Sequence, residues 1–226
     1  MADESILRRA RRLRRKPARI GLALGGGAAR GWAHIGVLEA LADRGIRIDC
    51  IAGTSMGALV GAFHASGRLS ELREIACGLD WRRVLHYFLE MTFPRSGMID
   101  GRKIADFARK SIAFSRIEDM PIPFKAVAAD VQTGEEIILD RGDAIDAVRA
   151  SISIPGMFTP VSLADHILVD GGLVNPVPVS VARAMGADTV IAVDVNHCIF
   201  GDHEPDRPVP AVKSASGPDS AVRPGR

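Results

Sequence analysis

The sequence has few cysteines, few aromatic residues and no apolar run long enough to cross a membrane. Its three cysteines, Cys50, Cys77 and Cys198, match neither a metal-binding spacing nor a disulfide framework. We expect them to be reduced, which favours a cytoplasmic location. The apolar segment over residues 20–24 is shorter than the core of a secretory signal, and no run approaches the ~18 apolar residues of a membrane span. We therefore expect neither a signal peptide nor a transmembrane helix.

Basic residues are concentrated near the N-terminus, although the net charge of the chain is only +2. The region from residue 8 to residue 19 contains Arg8, Arg9, Arg11, Arg12, Arg14, Arg15, Lys16 and Arg19. The remainder of the chain consequently has more acidic than basic groups. Such a block of like charge is typical of a solvated, flexible arm, and it is also suited to an anionic membrane surface. We expect peripheral contact with anionic lipid at the inner membrane face, and no nucleic-acid partner.

Segments with strand character alternate with helical patterns along most of the chain. The predicted strands cover residues 20–24, 46–52, 124–129, 136–139, 167–169 and 189–195. The predicted helices cover residues 32–44, 56–66, 70–77, 102–112, 144–150 and 179–185. This alternation favours an α/β fold, a three-layer sandwich with a central, mostly parallel β-sheet.

The sequence Gly53-Thr54-Ser55-Met56-Gly57 is a G-x-S-x-G motif between a predicted strand and a predicted helix. That context is typical of a nucleophile elbow, in which a sharp turn carries a serine at the start of a helix. Gly53 and Gly57 flank the serine where a tight turn leaves little room for a Cβ atom. A serine hydroxyl is a weak nucleophile until a base takes its proton, so the motif requires a partner elsewhere in the chain.

Two further glycine motifs offer partners for Ser55. The amides of Gly25, Gly26 and Gly27, which follow a predicted strand, are candidates for an oxyanion hole, although such glycines also form ordinary tight turns. Asp170 precedes two glycines and follows a buried strand. Burial there would raise its pKa and make it a stronger base than an ordinary aspartate. The same tripeptide is also a common turn signal, so the residues alone leave both interpretations open.

In this order, the motifs resemble those of the bacterial patatin-like phospholipases. The resemblance rests on Gly25-Gly26-Gly27-Ala28-Ala29-Arg30-Gly31 with the helix after it, on the G-x-S-x-G motif, on residues 150–158 and on Asp170-Gly171-Gly172. It covers residues 18–198. A strict G-x-G-x-x-G pattern does not fit, because Arg30 precedes the last glycine, Gly31.

The resemblance implies a Ser-Asp dyad that cleaves lipid acyl esters through an acyl-enzyme, as a phospholipase A or a lysophospholipase. Ser55 would be the nucleophile and Asp170 the general base, and Gly25, Gly26 and Gly27 would form the oxyanion hole. Neither a catalytic histidine nor a metal or other cofactor is implied. Supporting motif positions are Arg30, Gly31, Gly53, Gly57, Gly171 and Gly172. We expect Arg30 to serve loop structure and His34 to be a packed core histidine.

The corresponding domain organisation has three parts. We expect a basic, flexible arm over residues 1–18, a patatin-like hydrolase domain over residues 19–200, and a disordered tail rich in Pro, Ser and Gly over residues 201–226.

Three other functions remain possible from the sequence. Ser55, Asp170 and His197 follow the chain order of a Ser-Asp-His hydrolase. Asp49 lies about 20 residues after the glycine-rich turn, the spacing of a ribose-binding acid in a dinucleotide-binding module. A non-catalytic protein that binds lipid or regulates a partner would also have this fold.

Deletion of residues 8–16, which removes seven of the eight basic residues and leaves Arg19 in place, tests the membrane hypothesis. Each basic group near an anionic surface contributes about 1 kcal/mol at most. The deletion should therefore weaken the affinity for anionic vesicles, measured by sedimentation, by up to several orders of magnitude. Binding to neutral vesicles should be unchanged. Equal binding of the two proteins to anionic vesicles would show that the arm does not contact lipid.

Overall fold

The computed structural model of the chain describes residues 18–78 and 116–197. The predicted helix over residues 102–112, most of the basic arm and the C-terminal tail lie outside the described residues. Within the described part of the chain, no helix is long and apolar enough to cross a membrane.

A mixed, seven-stranded β-sheet forms the centre of the fold. Its strands, numbered along the chain, are β1 (Ile20–Leu24), β2 (Cys50–Thr54), β3 (Phe124–Asp130), β4 (Glu136–Leu139), β5 (Val161–Leu163), β6 (His166–Asp170) and β7 (Thr189–Val193). Strands β7, β1, β2 and β3 are parallel neighbours in that order. Strands β4 and β6 pair with β3 in the antiparallel sense, and β5 pairs with β6 in the same way.

The register along β3 brings the ends of β2 and β6 together. Ala126 pairs with Gly53 of β2 and with Leu139 of β4, so these two strands lie on opposite edges of β3. Ala128 pairs with β4 as well, and with Asp170 of β6. Strands β2 and β6 therefore share one edge of β3. Because they run in opposite directions, their carboxyl ends meet there.

Helices cover both faces of the sheet. They are α1 (Ala33–Asp43), α2 (Met56–Ala65), α3 (Leu69–Gly78), α4 (Ala144–Ser151) and α5 (Val179–Ala184) among the described residues, with short 3₁₀ helices at Ala28–Trp32, Ile117–Asp119 and Gly171–Leu173. Leu22 and Leu24 of β1 pack in the core that contains α1, α2 and α4. Ala23, which points to the other face, packs with Val181 and Ala182 of α5. The predicted three-layer α/β sandwich is confirmed, with antiparallel strands at one edge of the sheet.

The second strand begins later than the sequence predicts, at Cys50 instead of residue 46. The Ile46 amide donates to the Leu41 carbonyl and so closes the end of α1. Asp49 exchanges hydrogen bonds with Ile20, because its amide donates to the Ile20 carbonyl and its carboxylate accepts from the Ile20 amide. Ile46 and Ile48 alternate with polar residues and so resemble a strand, but the polar groups of Asp49 bind Ile20 at the start of β1.

Two glycine substitutions test the close packing of α2 against β1. An added Cβ at Gly57 would collide with the Leu24 carbonyl oxygen, whereas nothing lies within 4 Å of the same position at the exposed Gly36 of α1. We expect Gly57→Ala to lower the free energy of unfolding by about 2 kcal/mol or more, as overpacking does. Gly36→Ala should raise it by about 0.5–1 kcal/mol. Urea unfolding of both variants checks this, and equal effects would contradict the packing described.

Candidate active site

Ser55 occupies the turn between β2 and α2. It has φ 54° and ψ −125°, a positive φ that few non-glycine residues adopt. A conformation of this kind costs about 1–3 kcal/mol and persists only when the surrounding structure imposes it. The strand ends at Thr54 and the helix begins at Met56, which is the context that the G-x-S-x-G motif predicts.

The glycines of the motif allow the turn to approach its neighbours closely. A Cβ at Gly53 would lie 2.5 Å from the Gly57 carbonyl oxygen and 2.6 Å from Ala58 Cα. The start of α2 also meets the 3₁₀ helix after β1, where a Cβ at Gly31 would collide with Met56 Cβ. Only hydrogen atoms fit at these positions, and the serine is therefore fixed by the packing around it.

Ser55 donates a hydrogen bond directly to Asp170. The distance from Ser55 Oγ to Asp170 Oδ2 is 2.6 Å, and each residue is only 6% exposed. Asp170 is the last residue of β6, so the meeting of β2 and β6 on one edge of β3 brings the two side chains together. Its other oxygen, Oδ1, accepts a hydrogen bond of 2.7 Å from the Gly172 amide. The carboxylate is thus held at both oxygens.

Burial raises the pKa of Asp170 above its ordinary value. The hydrogen bonds from Ser55 and from the Gly172 amide lower that pKa, but they offset the desolvation only in part. An aspartate with a raised pKa holds a proton more strongly than an exposed one. The arrangement can therefore accept a proton from the serine hydroxyl more readily than an ordinary Ser-Asp contact would.

Ser151 is a site residue that the sequence analysis does not identify. It is the last residue of α4 and is fully buried. Its Oγ accepts a hydrogen bond of 2.8 Å from the Ser55 amide and donates one of 2.6 Å to the Val127 carbonyl. This relay joins the turn to β3. Its only sequence signal is the segment over residues 150–158, which carries the family resemblance but has no motif of its own.

The loop with Gly25, Gly26 and Gly27 lies beside Ser55. A Cβ at Gly26 would be 3.3 Å from Ser55 Cβ. The Gly25 amide donates to the Val193 carbonyl at 3.0 Å, and the Gly26 amide donates to the Pro176 carbonyl at 2.9 Å. The Gly27 amide has no acceptor within residues 18–78 and 116–197. In this conformation, Gly27 is therefore the member of the loop whose amide remains for a ligand, and the oxyanion hole remains a prediction.

The other motif residues surround this loop and the end of β6. Arg30 donates to Asn196 Oδ1 at 3.3 Å and, through its amide, to the Gly27 carbonyl at 2.9 Å. His34 is fully buried, with Nε2 2.8 Å from the Gly25 carbonyl, and burial lowers its pKa. At Gly171 a Cβ would collide with the Val127 carbonyl oxygen.

Asp49 and His197 are the residues on which two of the other possible functions depend. Asp49 lies at the amino end of β2, and its carboxylate accepts a hydrogen bond from the Ile20 amide. The glycine loop begins at the carboxyl end of β1, which is the other end of these two parallel strands. His197 is the last residue before the C-terminal segment that lies outside the described part of the chain, and its role in a Ser-Asp-His triad stays a prediction. In the described residues, no group of three or more His, Cys, Asp or Glu side chains is arranged to hold a metal ion.

Comparison with known proteins defines the family. A model of the patatin-like phospholipase family matches residues 22–183, which include Ser55, Asp170 and the glycine loop. The chain therefore belongs to the patatin-like phospholipase family.

Individual relatives agree with this assignment. The chain is 42% identical over 191 residues to an uncharacterised NTE family protein of Mycobacterium tuberculosis, a match that covers 83% of this chain and 53% of the relative. It is 38% identical over 184 residues to patatin-like phospholipase domain-containing protein 6 of Homo sapiens, covering 78% of this chain and 13% of that protein. The chain thus spans about half the length of the mycobacterial relative. A crystal structure of VipD from Legionella pneumophila has a TM-score of 0.47 at 15% identity over 70% of this chain and 46% of VipD, which is too low to add to the assignment.

The buried carboxylate predicts a pH dependence of stability. Because folding raises the pKa of Asp170, the folded state binds more protons than the unfolded state between the ordinary pKa near 3.8 and the raised one. Stability should therefore fall as the pH rises through this window and stay lowered above it. We expect Asp170→Asn to be more stable than the wild type at pH 8, with a difference that shrinks toward pH 4 in urea unfolding.

An exposed aspartate provides the control for this measurement. Asp165 lies in the turn between β5 and β6. The variant Asp165→Asn should follow the wild type across the pH range. If Asp170→Asn is less stable than the wild type at pH 8, the carboxylate is not penalised by its burial.

Proposed function

We propose that this chain is a serine acyl hydrolase that cleaves acyl esters of lipids, of the phospholipase A or lysophospholipase type. The observation that carries the proposal is the 2.6 Å hydrogen bond from Ser55 Oγ to Asp170 Oδ2. Membership of the patatin-like phospholipase family supports a lipid hydrolase at a general level. Phospholipids and lysophospholipids are the proposed substrates.

The proposed reaction has two halves joined by an acyl-enzyme. Asp170 accepts the proton of Ser55 Oγ while the oxygen attacks the ester carbonyl, and the backbone amide of Gly27 in the glycine loop binds the oxyanion that forms. As the tetrahedral intermediate collapses, the C–O bond to the alcohol breaks and Asp170 returns the proton to the leaving oxygen. Water then attacks the acyl-enzyme while Asp170 takes its proton. As the second tetrahedral intermediate collapses, the bond between Ser55 Oγ and the acyl carbon breaks, Asp170 returns the proton to Ser55 Oγ, and the fatty acid is released.

The site has two features that favour an aspartate as the base without a histidine. The carboxylate touches the hydroxyl directly, so no intermediate group is needed to carry the proton. Its pKa is raised by burial, which brings its basicity closer to that of the groups that serve as bases near neutral pH.

We also propose that the basic residues between 8 and 19 hold the protein against anionic membranes, where the substrates are found. The charge concentration in the sequence supports this part of the proposal. Of these basic residues, only Arg19 lies within the described part of the chain. Its backbone pairs with Asp188 and Thr189 at the start of β7.

Substitution of Ser55 tests the proposed chemistry. With a panel of p-nitrophenyl esters and lysophospholipids, we expect Ser55→Ala and Asp170→Asn each to lower kcat by about 10³-fold or more, because nucleophile and base act as a unit. Ser162→Ala, at an exposed position of β5, is the matched control and should retain full activity. A serine-reactive fluorophosphonate should label the wild type at Ser55 and should not label Ser55→Ala.

The same assays separate the other possible functions. A non-catalytic lipid-binding protein would show neither hydrolysis nor labelling in the folded wild type. A Ser-Asp-His hydrolase would lose activity in His197→Ala, whereas the dyad predicts activity near that of the wild type.

A further inference from the structure

We infer that Asn196 is a positioning residue for the oxyanion hole. Its side-chain amide holds the carbonyl of Gly26 and so turns the Gly27 N–H toward the substrate carbonyl at Ser55. The inference rests on the proposed acyl transfer, and it adds to the site a residue that belongs to none of the motifs. The contact itself is a hydrogen bond of 2.9 Å from Asn196 Nδ2 to the Gly26 carbonyl oxygen.

The peptide between Gly25 and Gly26 is engaged at both ends. Its carbonyl, from Gly25, lies 2.8 Å from His34 Nε2, which donates to it. Its N–H, from Gly26, donates to the Pro176 carbonyl. This peptide cannot also bind an oxyanion without losing a hydrogen bond to the protein.

The next peptide, between Gly26 and Gly27, is engaged only at its carbonyl. The described residues contain no cis peptide bond, so the carbonyl and the N–H of this unit point in opposite directions. Asn196 fixes the direction of the carbonyl and thereby the direction of the Gly27 N–H. Within residues 18–78 and 116–197 that N–H has no acceptor, and it belongs to a loop in contact distance of Ser55.

A peptide between two glycines needs such a contact more than other peptides do. Without Cβ atoms on either side, the unit can rotate to conformations that other residues do not reach. A rotation of the Gly26–Gly27 peptide would exchange its N–H for its carbonyl oxygen at the same place. A carbonyl oxygen there would repel a developing oxyanion instead of stabilising it.

The side chain of Asn196 is itself held in one orientation. Arg30 donates to its Oδ1 at 3.3 Å, while its Nδ2 donates to Gly26. The reversed amide would place an NH₂ group against the arginine and an oxygen against the carbonyl, so only one orientation satisfies both partners. The backbone N–H of Asn196 also donates to Asp194 Oδ1 at 2.8 Å, which anchors the segment after β7.

Substitution with aspartate tests the role with little change in shape. Asn196→Asp replaces the donor with an oxygen that repels the Gly26 carbonyl. We expect kcat on a p-nitrophenyl ester to fall about 10²-fold, the usual effect of losing one oxyanion donor, while KM changes less than about threefold. The affinity for an alkyl trifluoromethyl ketone, which forms a tetrahedral adduct with a serine, should fall by the same factor as kcat/KM. Asn196→Gln retains the donor and should recover part of the activity.

The control is Gln132→Glu, the same change from amide to acid in the exposed turn between β3 and β4. It should leave kcat and the ketone affinity unchanged. If Asn196→Asp keeps its kcat, the inference is wrong. If the variant is less stable and has a changed KM but binds the ketone as the wild type does, Asn196 has a structural role only and the inference is also wrong.

Wild-type behaviour distinguishes this failure from a failure of the proposed function. A wild type that hydrolyses esters and is labelled at Ser55, combined with an unaffected Asn196→Asp, overturns the inference alone. A folded wild type with neither activity nor labelling overturns the proposed function, and the inference falls with it.

Discussion

The hydrogen bond between Ser55 and Asp170 is the constraint on which the rest of the site depends. The two residues are 115 positions apart in the chain, and they meet because a parallel and an antiparallel strand end against each other on one edge of β3. If β6 ran parallel to β3, its carboxyl end would point in the same direction as the carboxyl end of β2, and the two ends would not face each other. The antiparallel edge of the sheet is therefore part of the site's construction.

The same contact explains why the fold keeps two residues in energetically unfavourable states. Ser55 has a positive φ, and Asp170 is buried with a raised pKa, so the pair is costly on both sides. The surroundings hold both residues in place: Ser151 Oγ accepts a hydrogen bond from the Ser55 amide, and the Gly172 amide donates to Asp170 Oδ1 at 2.7 Å. The apolar layers on the two faces of the sheet provide the stability against which such costs are borne.

The sequence predicts the regular elements well and the long-range polar contacts poorly. Strands β1 and β4 have the predicted bounds, because an apolar run and a hairpin turn are local signals. The three-residue strand β5 is missed, since its length is too short for a period to show. Ser55 follows from its motif, but Asp170 on residue type alone is equally a turn aspartate, and only the resemblance makes it a partner. Ser151 and Asn196 contact the site across 96 and 170 positions, and no local pattern marks a single polar residue at such a distance.

The position of the acidic group decides between two functions that a glycine-rich turn permits. After the first strand of a parallel sheet, such a turn serves a dinucleotide when an acid stands at the carboxyl end of the neighbouring strand. Here Asp49 is at the amino end of β2 and is occupied by the start of β1, whereas the carboxyl end holds Ser55 and, beyond it, Asp170. A carboxylate beside a serine would repel a pyrophosphate, but it can take the proton of the hydroxyl. In the proposed reaction the glycine loop would bind the negative charge that forms on a carbonyl oxygen, and the carboxylate of Asp170 favours that reaction over nucleotide binding.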